Sequence, residues 1–215
     1  MATTALQIFD DARIILKDAN ATAWDDAKLL TWLNAGQREI ASVRPDAYTR
    51  IAAFTLVAGT RQTLPTDGEL LIHIPRNLQS DGVTAGRAIR KSDRDEFDLF
   101  RPDWHTETPG VTTNYVYDPY TPYSFYVYPP AVAGNKVELI YAATPPDLTG
   151  ADASIVIKDS YRNALLDYVL FRSFAEDGEI EGASTRAVAH KQAFDQFLGN
   201  KARADVSASA AQAAS

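Results

Sequence analysis

Residues 136–175 read KVELIYAATPPDLTGADASIVIKDSYRNALLDYVLFRSFA, and the hydrophobic period changes inside them. Over 136–142 apolar and polar side chains alternate as on a half-buried strand, and Val, Ile and Tyr favour that state. Pro145-Pro146 breaks the pattern. Over about 158–175 Tyr161, Leu165, Tyr168 and Val169 recur at helical spacing, while Leu166, Leu170, Phe171 and Phe174 widen the apolar face to most of the circumference. Such a helix must be buried on several sides, inside a bundle or partly against another subunit.

Upstream of this switch, residues 50–141 are short alternating segments separated by Gly and Pro, the pattern of antiparallel strands. Strands are expected at 53–57 and 61–64, with Ala58-Gly59-Thr60 as a hairpin turn between them. Further strands are expected at 70–74, 87–90, 114–117 and 123–128. A short helix is expected at 93–100, with Asp93 and Glu96 suiting its first turn and Pro102 closing it. The N-terminal residues return to the helical period. Residues 3–17 form a helix capped by Thr3 or Thr4, with Leu6, Phe9, Arg13 and Leu16 stacked on a narrow face. A second helix starts at Thr22 and Asp25, which have the spacing of a capping box. It carries the stripe Leu29, Leu33, Gly36, Ile40 and Val43 and ends at Pro45.

After the wide helix, Gly178 supplies a stop. A last helix spans about 183–198, with Ala187, His190, Phe194 and Phe197 inward and Gly199 at its end. Beyond Asp205 the chain is Ala, Ser, Gln and one Val, too small to build a core, so a flexible arm is expected there. The class is α+β: terminal helices form a helical body around a central antiparallel β-rich insertion. The expected domains are residues 1–49 (helices of the body), 50–145 (the β-rich part with its short helix), 146–200 (the remaining helices) and 201–215 (the arm).

Composition narrows the chemistry. With no cysteine there are no disulfides or thiolate ligands, and the formal charge of -7 argues against a surface that grips nucleic acid everywhere. Nothing approaches the roughly 18 consecutive apolar residues of a membrane span. The chain reads as soluble, unprocessed and made in a cytoplasm. His73, His105 and His190 fall on three different elements with no metal-ligand spacing, so no metal or cofactor is expected. There is no Gly-x-Ser-x-Gly elbow and no phosphate-binding loop. Asp93, Asp95, Glu96 and Asp98 could supply paired carboxylates, but Arg90, Lys91 and Arg94 lie among them, and a solvated, compensated helix start is the favoured reading. No catalytic residue is assigned.

The conspicuous run is residues 114–130, NYVYDPYTPYSFYVYPP. Alternation places Tyr115 and Tyr117 on one face, and in the returning strand Ser124, Tyr126 and Tyr128 opposite Phe125 and Val127. Three readings stand: cross-strand aromatic packing of an ordinary hairpin, which is favoured, a protein interface rich in Tyr, and a platform for stacked sugars or bases.

The order of segments resembles the head-to-tail adaptor proteins of short-tailed bacteriophages, the connector or tail tubular protein A group. The resemblance spans about 6–198. It rests on Trp32-Leu33-Asn34-x-Gly36-Gln37-x-Glu39-Ile40, on Leu64-Pro65-x-Asp67, on 89–100 followed by Pro102-x-Trp104, and on Tyr126-Val127-Tyr128-Pro129-Pro130. Tyr141-Ala142-x-x-Pro145 and Asp159-x-Tyr161-x-x-Ala164-Leu165-x-x-Tyr168-Val169-Leu170 complete it. The resemblance implies a virion structural protein, assembled in the host cytoplasm, that forms a ring, typically twelve-fold, beneath the portal and offers a platform to the tail nozzle. The implied partners are the portal protein, the tail nozzle protein and further copies of the chain. Genomic DNA would pass through the lumen without sequence-specific binding, which suits a net acidic chain, and no membrane is involved. On that footing the subunit interface is expected at Trp32, Gly36, Ile40, Tyr161, Leu165, Tyr168 and Phe171. Nozzle docking is expected at Trp104, Tyr117, Tyr120 and Tyr123, and portal docking at Lys201, Arg203 and Val206. The rivals are a tail-completion protein elsewhere in the virion, and a small hydrolase or carbohydrate-binding module using Asp95, Asp98 and the tyrosine hairpin.

Overall fold

A computed structural model of the chain describes residues 3–177 and 182–213, with 205–213 described by their backbone alone. The expected stop at Gly178 lies outside the described residues. The fold is α+β, and the chain divides into two compact units, one of residues 1–48 with 145–215 and one of 49–144.

The first unit is helical. Helix α1, Ala5–Leu16, is capped by Thr4, whose hydroxyl accepts from the Gln7 amide while the Gln7 side chain accepts from the Thr4 amide. Its buried face is Ala5, Ile8, Phe9 and Ala12, one step round from the stripe expected from Leu6 and Arg13. Helix α2, Asp26–Val43, is capped by Asp25, which accepts from the Lys28 amide. The capping box expected from Thr22 is not formed. The Thr22 amide donates instead to Asp18, whose carboxylate also collects the amides of Ala23 and Trp24 and closes the α1–α2 connection. Burial pushes the Asp18 carboxyl up, but these amides outweigh it and hold it below its usual range.

After a single 3-10 turn at Asp159–Tyr161, helix α4 of this fold runs over Arg162–Glu176, and α5 over Ala183–Ala213; the short α3, Arg94–Phe100, belongs to the second unit. The wide apolar surface of α4 is consumed by α1, α2 and α5, with Leu165, Tyr168, Val169, Leu170 and Phe174 buried. Each such side chain contributes roughly 1.5–3 kcal/mol. Two buried amides on α2 fix the irregular stretch 145–158 against the helices. Asn34 donates to the Leu148 carbonyl at 3.1 Å and accepts from its amide at 2.9 Å, and Gln37 accepts from the Val156 amide at 2.9 Å. Helix α5 passes through Gly199, where a stop was expected. One interior Gly costs about 1 kcal/mol, and the Ala-rich sequence on either side is the strongest helix former available.

The second unit holds nine strands in two sheets. Strands β1 (Thr49–Thr55), β9 (Lys136–Ala143), β4 (Arg76–Leu78) and β5 (Ala85–Ala88) form one in that order, with β3 (Gly68–His73) also paired to β9. Strands β2 (Gly59–Thr63), β8 (Ser124–Ala131), β7 (Asn114–Val116) and β6 (Arg90–Lys91) form the other. Pairings are antiparallel except β6 with β7. Phe54 meets Phe125 across the unit at 5.9 Å between ring centroids, over a core including Leu56, Ile74, Val127, Val137 and Leu139.

The hairpin expected around Ala58-Gly59-Thr60 does not exist, because β1 pairs with β9 and β2 with β8. The chain crosses between sheets there. Buried Gln62 holds the crossing, accepting from the Val57 amide and donating to the carbonyls of Val57 and Gly59. The connection from β8 to β9 crosses beside it, tied by Leu56 to Asn135 and Gly134. Between β4 and β5, Asp81 accepts from the Thr84 hydroxyl and from the amides of Val83 and Thr84, which draws its carboxyl from 3.8 to about 2. A carboxyl depressed on folding stabilises above its unfolded value, and the contribution is lost as pH falls through the folded one. Asp81→Asn is therefore expected to flatten the dependence of melting temperature on pH between about 4 and 2, read by thermal denaturation across that range.

Candidate functional site

The chain from β7 to β8 is the most exposed aromatic feature of the second unit. Asp118 organises it: its carboxylate accepts from the Tyr120 amide at 2.9 Å and its carbonyl from the Thr121 amide at 3.0 Å. The Thr121 carbonyl then accepts from Ser124, and that of Tyr123 accepts from Leu64. Half-buried Tyr117 is a strut, accepting from the Leu71 amide and donating to the Pro122 carbonyl, both at 3.2 Å. Pro119 and Pro122 remove further freedom. Tyr120 is left 94% exposed and Tyr123 58% exposed. A stiff loop presenting two tyrosines loses little entropy on docking. Below it, Tyr115, Phe125 and Val127 are buried, but the strands' aromatics pack on other elements rather than across the hairpin as expected: Tyr115 lies opposite Val127 with its ring against His73, and Phe125 meets Phe54.

Helix α3 adds a second exposed surface. None of its residues is buried; Phe97 anchors it on Trp104 and Tyr128, at 5.2 and 4.8 Å between centroids, and Leu99 and Phe100 face solvent. A depression of about 560 Å³ between residues 91–95 and 116–119 brings Asp95 beside Tyr117 and Asp118. Asp98 does not line it. The Trp104 indole N–H donates to Asp98 at 2.9 Å and holds its carboxyl below the usual range, and Arg94 pairs with it one turn away. Asp93 caps the helix, so the acidic cluster forms a compensated helix start, and Asp95 and Asp98 do not form a shared site.

Several residues expected at docking surfaces are instead core. Trp104 is wholly buried, stacked on His105 at 3.7 Å, and offers no surface to a nozzle. Trp32, Gly36, Ile40, Tyr161, Leu165 and Tyr168 are buried within the helical unit's own packing; Phe171 is half-buried. A full apolar circumference signals burial without saying whether the cover is the same chain or another. At the C-terminal end the Lys201 ammonium sits over the Tyr161 ring at 5.4 Å, and Arg203 is exposed. Val206 continues the α5 backbone, and its side chain lies outside the described residues. The three histidines have separate partners: Tyr115 for His73, Thr60 for His105 and Asp167 for His190. Among the described residues no group of three or more His, Cys, Asp or Glu is placed to hold a metal ion. Among them, too, no helix is long and apolar enough to cross a membrane.

Sequence reasoning missed the roles of Asn34 and Gln37. Both stood in the motif that carried the resemblance, and their polarity on an otherwise apolar stripe was the available signal. Two comparisons bear on the whole chain. A family model described as SU10 adaptor protein matches residues 3–214. Comparison with curated proteins yields no match.

Proposed function

The chain belongs to the SU10 adaptor protein family, a family of structural adaptors rather than enzymes, and from this premise of a virion-associated phage adaptor we propose that it forms a ring beneath the portal of a short-tailed phage. The ring joins the DNA-filled head to the tail and continues the DNA channel. Its twelve-fold symmetry is carried over from the resemblance. The observation that carries the reading is the match over nearly the entire chain, which takes in both units and the α5 extension.

Two surfaces support the division of labour. The stiff loop bearing Tyr120 and Tyr123 fits a contact with the tail nozzle, where exposed rigid aromatics serve as anchors. Helix α5 runs well past Leu198, the last of its residues described as buried, and Arg203 and Val206 on that extension are assigned to the portal. Tyr120→Ser should leave the melting temperature unchanged, because the side chain is exposed. Binding of the portal-docked ring to purified nozzle should weaken about 30-fold in a titration, the equivalent of about 2 kcal/mol. Unchanged nozzle affinity would remove the loop from the docking surface.

A further inference from the structure

Strand β1 is an edge of its sheet, and its ladder fixes which groups face outward. The Leu56 amide donates to the Asn135 carbonyl, and the register from Thr49 opposite Ala142 to Thr55 opposite Lys136 has no break. Antiparallel bonds fall on alternate residues, so Arg50, Ala52 and Phe54 bond to β9 while Thr49, Ile51, Ala53 and Thr55 turn N–H and C=O away from it. These four residues are exposed and span about 20 Å. Among the described residues, nothing pairs with their outward atoms.

The other strand edges described in this unit are blunted. Strand β5 has four residues and a shifted register against β4, and β6 has two residues. Strand β2 is bulged between Gly59 and Arg61. Strand β3 is shifted twice against β9, and Tyr117 caps it by accepting from the Leu71 amide. Short length, bulges and side-chain cover keep an edge from recruiting a foreign strand. Strand β1 has no bulge and no proline, and its one charge, Arg50, is paired with Asp67 at 2.6 Å. Ala52 and Phe54 are only half-buried, so the core is incompletely covered along this edge.

We propose that β1 pairs antiparallel with β1 of a second copy of this chain. The strand sequence, TRIAAFT, is close to self-complementary. A two-fold register centred on Ala52 brings all four outward residues of each copy into bonds and sets Thr49 against Thr55 and Ile51 against Ala53. Arg50 then falls opposite Phe54 and never opposite another cation. A shift of two residues either way would leave one outward residue of each copy unpaired. No other strand of the described residues offers the facing copy an unblunted edge of this length. The contact is isologous and closes at two copies, so it belongs to the chain away from the portal and does not rest on the ring reading.

The chain has no cysteine, so Ala52→Cys supplies a single thiol on the two-fold axis. Facing Cα atoms of such a non-hydrogen-bonded pair lie about 4.5 Å apart, within disulfide reach. Full-length Ala52→Cys, oxidised without portal, should give linked dimers at least tenfold faster than Val83→Cys, although Val83 is 83% exposed. Adding Ile51→Pro removes an outward N–H that the strand's own sheet does not use, so the reduced protein should melt nearly as before while cross-linking falls at least tenfold. Ile51→Lys, which asks nothing of the backbone, should lower cross-linking as well. Light scattering of the unsubstituted chain at the same concentration should give twice the chain mass. A monomer there, cross-linking no faster than for Val83→Cys, or dimers undiminished in both Ile51 variants would overturn the pairing.

Discussion

Replacing Trp104 with alanine is expected to cost the isolated chain about 3–5 kcal/mol, the range for truncating a fully buried large aromatic. The indole is 0% exposed and packs on His105, Phe97 and Tyr126, so little of its space can be refilled. Its N–H is also the donor that Asp98 uses, and truncation leaves that carboxylate with Arg94 alone. Against a typical domain stability of about 5–15 kcal/mol, the second unit would melt many degrees lower. Thermal or urea denaturation followed by tyrosine and tryptophan fluorescence reads the effect. Trp104→Phe keeps the stacking and loses the hydrogen bond, so it should cost only about 1–2 kcal/mol. A tryptophan that served only to dock a nozzle would leave both melts unchanged.

Gly36→Leu should be at least as damaging to the helical unit. A Cβ at this position would lie 2.9 Å from Tyr168 Cδ1, 3.2 Å from its Cγ and 3.3 Å from Leu165 Cδ2. These atoms lie near the base of the ring and on a buried branch, so they cannot swing clear. Alanine gains about 1 kcal/mol of helix propensity and meets an overpacking cost of about 1–3 kcal/mol, so it should be mildly destabilising. Leucine pushes α2 off α4 and should exceed the upper end of that cost. The double variant Gly36→Leu/Tyr168→Ala restores space and should be more stable than Gly36→Leu, a coupling visible in circular dichroism melts. Loss of assembly with no change in monomer stability would return Gly36 to the subunit interface.

These two residues show how far the sequence could be read. The change from period 2 to period 3.6 after Pro145-Pro146 marked the class, and the helical stripes of α2 and α4 marked what is buried. The identity of the cover was not legible. An apolar circumference on α4 is satisfied equally by α1, α2 and α5 or by a neighbouring subunit, and only the packing around Gly36 and Tyr168 decides between them. Strand partners were hidden for a related reason. Alternation at 53–57 and 61–64 locates strands, but Thr49 pairs with Ala142 and Thr63 with Ser124, partners that no local pattern encodes. Gly199 misled because a single propensity was weighed against its position and not against the alanines around it.

At the candidate site the tyrosine loop was visible as composition. Its stiffness was not, because it depends on Asp118 and on Tyr117 bridging Leu71 and Pro122. Tyr120 and Tyr123 stayed at the surface as expected, while Trp104, equally aromatic, went to the core.

The most direct test of the central claim is to mix the purified full-length chain with purified phage portal and image the product by electron microscopy. A phage adaptor that completes the connector should give uniform rings stacked coaxially on the portal, with an open lumen continuing its channel. Chains that remain monomeric and unassociated with the portal would contradict the account.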